Sequence, residues 1–371
     1  MSLKDFAFDT EATATFLELD DTLYRRDPNA LPTGRRERRR LLSPGFSFHA
    51  RPGNHHRRFL ATAGARPVAR CVAFVNAELH DRDGSSVGGI GFFESASDAT
   101  AAADVLGAAL RWLRVEHGIE RVWAPLDFDI WHGYRLMTRG FERPRFLGEP
   151  YNKPYYAELL EGCGFHARRR YNTLELEAAA LAPLARGDWH SAQEQGYRFE
   201  PLGSRPWSAN VAALHATLTR SFSGFLGFTP IALDEFARLL PLGRWAVHRR
   251  CSIFVRDRED RIVGFALVLR DLASVVRALD ASRWRAGLLR LAARRERRLL
   301  LHVGGITPEE AVRHSGVATA AFAYVMEGVR RQGCDALLTT LIARGNPVRR
   351  LYGASAADAR REYALYEWRA A

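Results

Sequence analysis

The same order of predicted elements occurs twice along this 371-residue chain, and that repeat restricts the fold more than any other feature. Each half begins with a hairpin, followed by a helix, a buried strand, a short helix and a last strand. In the first half, the predicted strands are 68–79, 87–93, 119–125 and 171–176. In the second half, they are 251–257, 261–269, 299–306, 336–342 and 361–367. Two copies of one α/β unit therefore explain the length better than one large domain.

An alanine-rich stretch at 178–196, with Pro183 and Gly187 inside it, separates the two halves. Its composition is typical of a linker between domains. We therefore expect an N-terminal domain at 1–177, a linker at 178–196 and a C-terminal domain at 197–371. An arginine-rich helical insert is expected at 272–297 in the second domain.

The formal net charge is +12, and arginine supplies nearly all of the positive charge, since Lys4 and Lys153 are the only lysines. Basic blocks occur at 35–40, 168–170 and 290–298. Such an imbalance indicates coding bias as much as function. The alternative is a polyanionic partner: RNA, an acidic carrier protein or a phosphate-rich cofactor. No zinc-finger spacing and no RNP-like aromatic motif occurs, so sequence-specific nucleic-acid binding is weakly supported.

Several classes of protein are disfavoured by what the sequence lacks. No apolar run approaches the ~18 residues of a membrane span, and the first residues do not resemble a signal peptide. The four cysteines are far apart and form no CxxC pair, so we expect a cytoplasmic protein without a disulfide framework. His49, His55 and His56 lack carboxylates at ligand spacing, and no metal site is expected. Neither a Gly-x-Ser-x-Gly elbow nor a Walker loop is present.

The most informative motif is Arg313-x-x-Gly316-x-Ala318, between the apolar strand 299–306 and an amphipathic helix. The first amides of a helix lack partners and carry partial positive charge, so this position suits a pyrophosphate. Gly316 and Ala318 leave room for the anion, and Arg313 adds a charged donor. A plain loop with a glycine is the alternative interpretation. The predicted phosphate-binding residues are Arg313, His314, Ser315, Gly316, Val317, Ala318 and Thr319.

These residues resemble the acyl-CoA loop of the GNAT superfamily of N-acyltransferases. Asn346 and Tyr352 are similar to the Asn and Tyr that open the short helix beside the thiol arm of CoA in that superfamily. Segments 42–45 and 151–156 resemble those of a bacterial group with two GNAT domains in tandem. The resemblance implies a mixed, mainly antiparallel sheet flanked by helices in each domain.

The same resemblance implies transfer of an acyl group from a thioester to an amine by direct attack, without an acyl-enzyme and without a metal. Three donors remain open: acyl-CoA, a phosphopantetheine thioester on an acidic acyl carrier protein, and aminoacyl-tRNA. A non-catalytic binding module is a further alternative. The first domain carries Glu94 and Asp98 where the second carries its motif, and these acids repel phosphates. Only the second domain is therefore expected to bind the donor.

The resemblance also suggests roles for individual side chains. Tyr352 is the candidate that protonates the leaving thiolate, and Asn346 is expected beside the donor. His302 and Asp271 are candidate bases; a core histidine and a helix cap are the respective alternatives. In the first domain, Asp127, Asp129 and His132 form an acidic loop that could bind a cationic small-molecule acceptor; the alternative is a capped turn.

Overall fold

A computed structural model of the chain describes residues 1–31, 34–240, 243–278, 296–314, 316–357 and 360–370. Its strands, in chain order, are β1 Ser2–Phe6, β2 His55–Ala63, β3 Arg66–His80, β4 Ser86–Ser95, β5 Arg121–Ala124, β6 Leu126–Asp127, β7 Asp129–Tyr134, β8 Leu136–Arg139, β9 His166–Glu177, β10 Arg198–Pro201, β11 Ile253–Arg256, β12 Ile262–Arg270, β13 Arg298–Ile306, β14 Ala336–Ala343 and β15 Arg361–Arg369.

The α-helices, in chain order, are α1 Thr10–Tyr24, α2 Arg35–Leu41, α3 Ala99–His117, α4 Tyr156–Gly162, α5 Ala178–Leu184, α6 Trp189–Glu194, α7 Trp207–Phe222, α8 Leu233–Leu239, α9 Gly243–Ala246, α10 Ala273–Ala278, α11 Pro308–Arg313 and α12 Val317–Arg331. Three 3₁₀ helices lie at Ser47–Ala50, Leu202–Ser204 and Pro347–Ala357. The predicted insert at 272–297 begins with α10, and its residues 279–295 lie outside the described residues.

The chain forms two compact units. Unit 1 comprises Met1–Arg170, Leu226–Thr229 and Glu362–Ala371, and unit 2 comprises Tyr171–Phe225 and Pro230–Arg361. The sheet of unit 1 has the strand order β1-β2-β3-β4-β5-β15, and β8 also pairs with β15. The sheet of unit 2 has the order β9-β14-β13-β12-β11-β10. In both sheets the pairs are antiparallel except β4/β5 and β13/β14, so the expected mixed, mainly antiparallel α/β fold is confirmed.

The units differ from the predicted domains in two ways. The last strand of each predicted domain belongs to the sheet of the other unit. Residues 171–177 of β9 lie in unit 2 and pair with β14, and residues 366–369 of β15 lie in unit 1 and pair with β5. The stretch 178–196 is not an open linker, because it holds α5 and α6. Leu181 and Ala192 of these helices are buried in the same core as α12.

Two long helices pack on each sheet, α1 and α3 in unit 1 and α7 and α12 in unit 2, and the ends of α3 follow from the local sequence. Helix α3 begins at Asp98, whose side chain accepts a hydrogen bond from the amide of Ala101 at 3.0 Å, and ends at Gly118 with φ of 65°. This conformation is one that glycine adopts at low cost. The buried residues of α3 and α12 repeat at helical spacing, and burying each large apolar side chain contributes roughly 1.5–3 kcal/mol.

Candidate active site

The predicted phosphate-binding loop in unit 2 contains a short helix. Strand β13 ends at Ile306, and Thr307 precedes α11, which has Pro308 in its first turn together with two glutamates. Proline and acidic residues both favour the start of a helix, which explains why this stretch is not an open loop. We call residues 307–319 the donor loop; its Ser315 lies outside the described residues.

The N-terminus of α12 is open on the side where the motif predicts an anion. Gly316 occupies the N-cap position with φ of −82°, and no side chain of the described residues caps the helix. A Cβ built on Gly316 has nothing within 4 Å among the described residues. Val317 is buried, whereas Ala318 and Thr319 are exposed. The amide of Val317 donates to the carbonyl of His314 at 3.2 Å, and the next two amides of the first turn of α12 have no partner within the helix.

A buried carboxylate holds Arg313 close to this helix end. Glu310 is buried, accepts a hydrogen bond from the hydroxyl of Tyr197, and lies 3.5 Å from Nη1 of Arg313. Burial, reinforced by the bond to Glu310, raises the pKa of Tyr197, so this hydroxyl remains a donor at neutral pH. The side chain of Arg313 is 56% exposed, which leaves it accessible to a charged ligand. The ring of His314 packs 5.5 Å from that of Tyr197.

The two parallel strands of unit 2 diverge below the donor loop. Strand β13 pairs with β14 only from Arg298 to Leu301; its later residues pair with β12, while the end of β14 pairs with β9. His302 is an extra residue in β13, because Val303 is opposite Leu267 whereas Leu301 is opposite Val268. This is a β-bulge, a feature that bends a strand and redirects its side chains. Beyond Leu301 the two parallel strands therefore no longer pair with each other.

The candidate bases occupy different surroundings. The side chain of His302 is exposed at the bulge, and its carbonyl accepts a hydrogen bond from the hydroxyl of Thr340 at 3.1 Å. Asp271 is buried at the end of β12. Its Oδ1 accepts from the amide of Ala273 at 3.2 Å, and its Oδ2 lies 3.5 Å from Nε of Arg298. Both carboxylate oxygens of Asp271 therefore lie against groups of the chain.

Tyr352 and Asn346 lie at the 3₁₀ helix Pro347–Ala357, as predicted for the element that follows β14. Tyr352 is buried and packs edge-on against Phe322 at 4.9 Å between ring centroids. Burial raises the pKa of Tyr352, so it stays protonated at neutral pH. Oδ1 of Asn346 accepts from the amide of Val348 at 3.0 Å, which fixes the start of this helix.

The corresponding loop of unit 1 is filled by the chain's own polar groups. Asp98 caps α3, so a carboxylate already occupies its N-terminus. The hydroxyl of Tyr155 donates to the carbonyl of Ser95 at 2.9 Å. The hydroxyl of Tyr156 donates to Glu94 at 2.6 Å and accepts from the amide of Ser95 at 2.9 Å. These bonds account for Tyr155 and Tyr156 of segment 151–156, to which the sequence assigned no role.

Asp127 fills the point where the parallel strands of unit 1 separate. Its Oδ1 accepts a hydrogen bond from the amide of Phe92 at 2.6 Å, at an irregularity of β4 where Phe92 has φ of 51°. A Cβ on Gly91 would lie 2.0 Å from the carbonyl oxygen of Leu126, so only glycine fits there. Burial raises the pKa of Asp127, and the bond from Phe92 opposes that rise.

Asp129 and His132 form a closed turn beside Asp127. Oδ1 of Asp129 accepts from the amides of Trp131 and His132 at 2.8 and 3.0 Å, and it lies 2.8 Å from Nδ1 of His132. The structure therefore brings the three predicted acceptor-binding residues together. Oδ1 of both carboxylates is already bonded within the chain, as the capped-turn alternative predicts.

Within the described residues, no group of three or more His, Cys, Asp or Glu could hold a metal ion. None of the helices described there is long and apolar enough to cross a membrane. Sequence reasoning missed Tyr197 and Glu310, which position Arg313. The glutamate at the third position of α11 is visible in the sequence. Its burial could not be predicted, because it depends on Tyr197, which lies beside the distant β10.

The chain has the fold of a tandem GNAT protein. It superposes over its whole length on a tandem GNAT protein from the clavulanic acid biosynthesis pathway, with a TM-score of 0.54, 13% identity and 99% of that chain covered. It also resembles a GCN5-related N-acetyltransferase from Sphaerobacter thermophilus, with a TM-score of 0.51, 11% identity, and 99% and 95% of the two chains covered.

The match found by sequence comparison covers less than half of either protein. Protein YghO of Escherichia coli K12 is 29% identical over 154 residues, which span 41% of this chain and 38% of that protein. No family model matches the sequence.

Proposed function

We propose that this chain is an N-acyltransferase that takes an acyl group from a phosphorylated thioester donor and transfers it to a small-molecule amine. The observation that carries the proposal is the contrast between two equivalent junctions of strand and helix. In unit 2, α12 starts at an uncapped glycine beside Arg313 and a divergent pair of parallel strands. In unit 1, Asp98 and Asp127 fill the equivalent positions.

Acyl-CoA is the donor that fits the donor loop best. Its pyrophosphate needs several amides and a guanidinium, which the first turn of α12 and Arg313 supply. A carrier-bound phosphopantetheine has one phosphate and uses this loop less fully, although an acidic carrier suits the net charge of +12. An aminoacyl-tRNA donor suits the charge as well, and its binding would weaken steeply with salt.

The chain's own groups have four tasks in this reaction. The donor loop binds the phosphates, and the arm that carries the thioester lies where β13 and β14 diverge. The amine nitrogen bonds to the thioester carbon, and the carbon–sulfur bond breaks. We assign removal of the amine proton to His302, which is exposed at the bulge, and protonation of the leaving sulfur to Tyr352, which lies on the 3₁₀ helix after β14.

Binding of CoA tests the proposal directly. We expect CoA and acetyl-CoA to raise the unfolding temperature of the full chain, and Arg313→Glu to abolish that shift. Arg250→Glu makes the same charge change at an exposed turn of unit 2 and serves as the matched control. Equal shifts in both variants would remove Arg313 from the site, and no shift with any CoA would favour a carrier or tRNA donor.

Turnover separates the enzyme from a binding module. Release of free thiol from acetyl-CoA, measured with a panel of primary amines, should depend on the amine and on Arg313. If CoA binds but no amine in the panel releases thiol, the non-catalytic alternative gains support. Raising the salt concentration then distinguishes the donors, because only tRNA-dependent transfer should lose activity with a steep log–log slope.

A further inference from the structure

Helix α7 of unit 2 carries a buried hydroxyl that no group of the described residues satisfies. Ser221 lies in the last turn of α7 and is 9% exposed. Its Oγ is buried and has no hydrogen-bond partner within the described residues. Thr217, one turn earlier, donates to the carbonyl of Ala213 at 2.8 Å, which is how a hydroxyl inside a helix is commonly satisfied. Because a buried polar group without a partner costs stability, the hydroxyl of Ser221 points to a bound molecule that completes it.

The side chain of Ser221 lies against β13, the strand that carries His302. Its Cβ and Oγ come within 3.2 and 3.6 Å of the position that a Cβ on Gly305 would take. The ring of Phe222 comes within 3.1 Å of the same position. A glycine inside a strand is typical of a place where another group approaches the backbone closely. Gly305 therefore lets the hydroxyl of Ser221 approach the backbone of β13, three residues beyond His302.

The end of α7 lies on the β12 side of β13. Helix α7 packs on β12 and β13, and the ring of Phe222 lies 6.4 Å from that of Phe265 in β12. Nη2 of Arg220 lies 3.6 Å from Oε2 of Glu309, so the end of α7 also contacts the donor loop. The proposed donor arm lies on the other side of β13, where β13 and β14 diverge. A second substrate that approaches the thioester from the β12 side would therefore meet Ser221.

We propose that Ser221 binds a polar group of the amine acceptor, so that the acceptor carries a hydrogen-bonding group remote from its reacting amine. This inference rests on the proposed function, in which His302 takes the proton of that amine. Three strand residues span about 10 Å, so the two polar ends of the acceptor lie on the order of 10 Å apart. A hydroxyl both donates and accepts, and it suits an alcohol, an amide or a carbonyl. A plain alkylamine would leave Ser221 unsatisfied, and such a site discriminates against it.

Calorimetric titration of the full chain in the presence of saturating CoA tests this assignment without requiring turnover. The probes are unbranched amino alcohols of about four to eight carbons, with the amine and the hydroxyl at opposite ends, and the alkylamines of equal length. One neutral hydrogen bond corresponds to roughly a fivefold change in Kd. We expect at least one amino alcohol to bind about fivefold more tightly than its alkylamine, and Ser221→Ala to reduce that ratio below about two. No such preference in the parent chain, or an unchanged preference in Ser221→Ala, would overturn the proposal.

A matched control and a stability measurement separate recognition from a structural role. Ser223→Ala removes a hydroxyl at the exposed C-cap of the same helix and should keep the preference for amino alcohols. Ser221→Ala removes no hydrogen bond of the described residues, so its unfolding temperature without ligand should equal or exceed that of the parent chain. A lower unfolding temperature with equal losses of affinity for both classes of amine would assign Ser221 to stability.

Failure of this inference is distinct from failure of the proposed function. If CoA raises the unfolding temperature through Arg313 but the preference for amino alcohols does not depend on Ser221, only the acceptor assignment is wrong. If no CoA raises the unfolding temperature, the result counts against the proposed acyl-CoA donor itself.

Discussion

Placing a carboxylate at the N-cap of α12 should make the donor loop resemble the equivalent loop of unit 1, where Asp98 caps α3. Gly316 has negative φ and free space around its Cβ among the described residues, so Gly316→Asp fits without strain. A carboxylate at a helix N-terminus contributes about 0.3–1 kcal/mol of stability. The variant without ligand should therefore unfold at the same temperature as the parent chain or a few degrees higher.

The same carboxylate should repel a pyrophosphate. Two unit charges about 5 Å apart interact by roughly 1–3 kcal/mol between the dielectric values of water and of a protein surface. Because Gly316 is exposed, we expect the lower part of that range, about 1–2 kcal/mol, or roughly 5- to 30-fold in Kd. Gly316→Asn has the same shape without the charge and is the matched control.

Isothermal titration with CoA compares the two variants at low salt and in 1 M salt. We expect the Asp variant to bind more weakly than the Asn variant at low salt, and the difference to shrink in 1 M salt, where the Debye length falls to about 3 Å. Equal affinities of the Asp and Asn variants at low salt would refute the reasoning, because the helix end would then not face the phosphates.

Three further predictions concern single side chains. Asp98→Ala removes the cap of α3 and should lower the free energy of unfolding by about 1 kcal/mol in urea, without changing CoA affinity. Burial raises the pKa of Glu94 from 4.5 to about 7, so ionisation of this carboxyl opposes folding. The stability that the protonated carboxyl contributes is complete below pH 4.5 and is lost as the pH rises through 7. Relative to Glu94→Gln, the parent chain should therefore lose stability, on the order of 3 kcal/mol, between pH 4.5 and 8 in urea titrations. Tyr352→Phe should lower kcat at least tenfold with CoA affinity unchanged; an unchanged kcat would make Tyr352 a packing residue only.

Local sequence signals predicted much of this fold because they act within a few residues. Asp98 and Gly118 mark the ends of α3, and the periodic apolar residues between them form its buried face. The uncapped start of α12 follows from Gly316, which has no side chain to accept a hydrogen bond. Such signals do not depend on distant parts of the chain, so the helix ends that they predict are found in the structure.

The strand exchange could not be predicted in this way. Residues 171–177 and 366–369 have the pattern expected of a last strand in either unit, and nothing local states which partner each will join. The burial of Glu310 has the same limit, since it depends on Tyr197, more than a hundred residues away. Pairings at long range are decided by tertiary packing, which a pattern of alternation does not encode.

A few residues distinguish the proposed donor loop of unit 2 from the equivalent junction of strand and helix in unit 1. Both have a divergent parallel strand pair and an irregularity in the strand that leads to the long helix. Asp98 in unit 1 satisfies an amide that Gly316 in unit 2 leaves open, and Asp127 bonds the amide at the irregularity. Internal carboxylates thus replace the anion that an open helix end would attract. This exchange satisfies the amides of unit 1 from within the chain, without a donor.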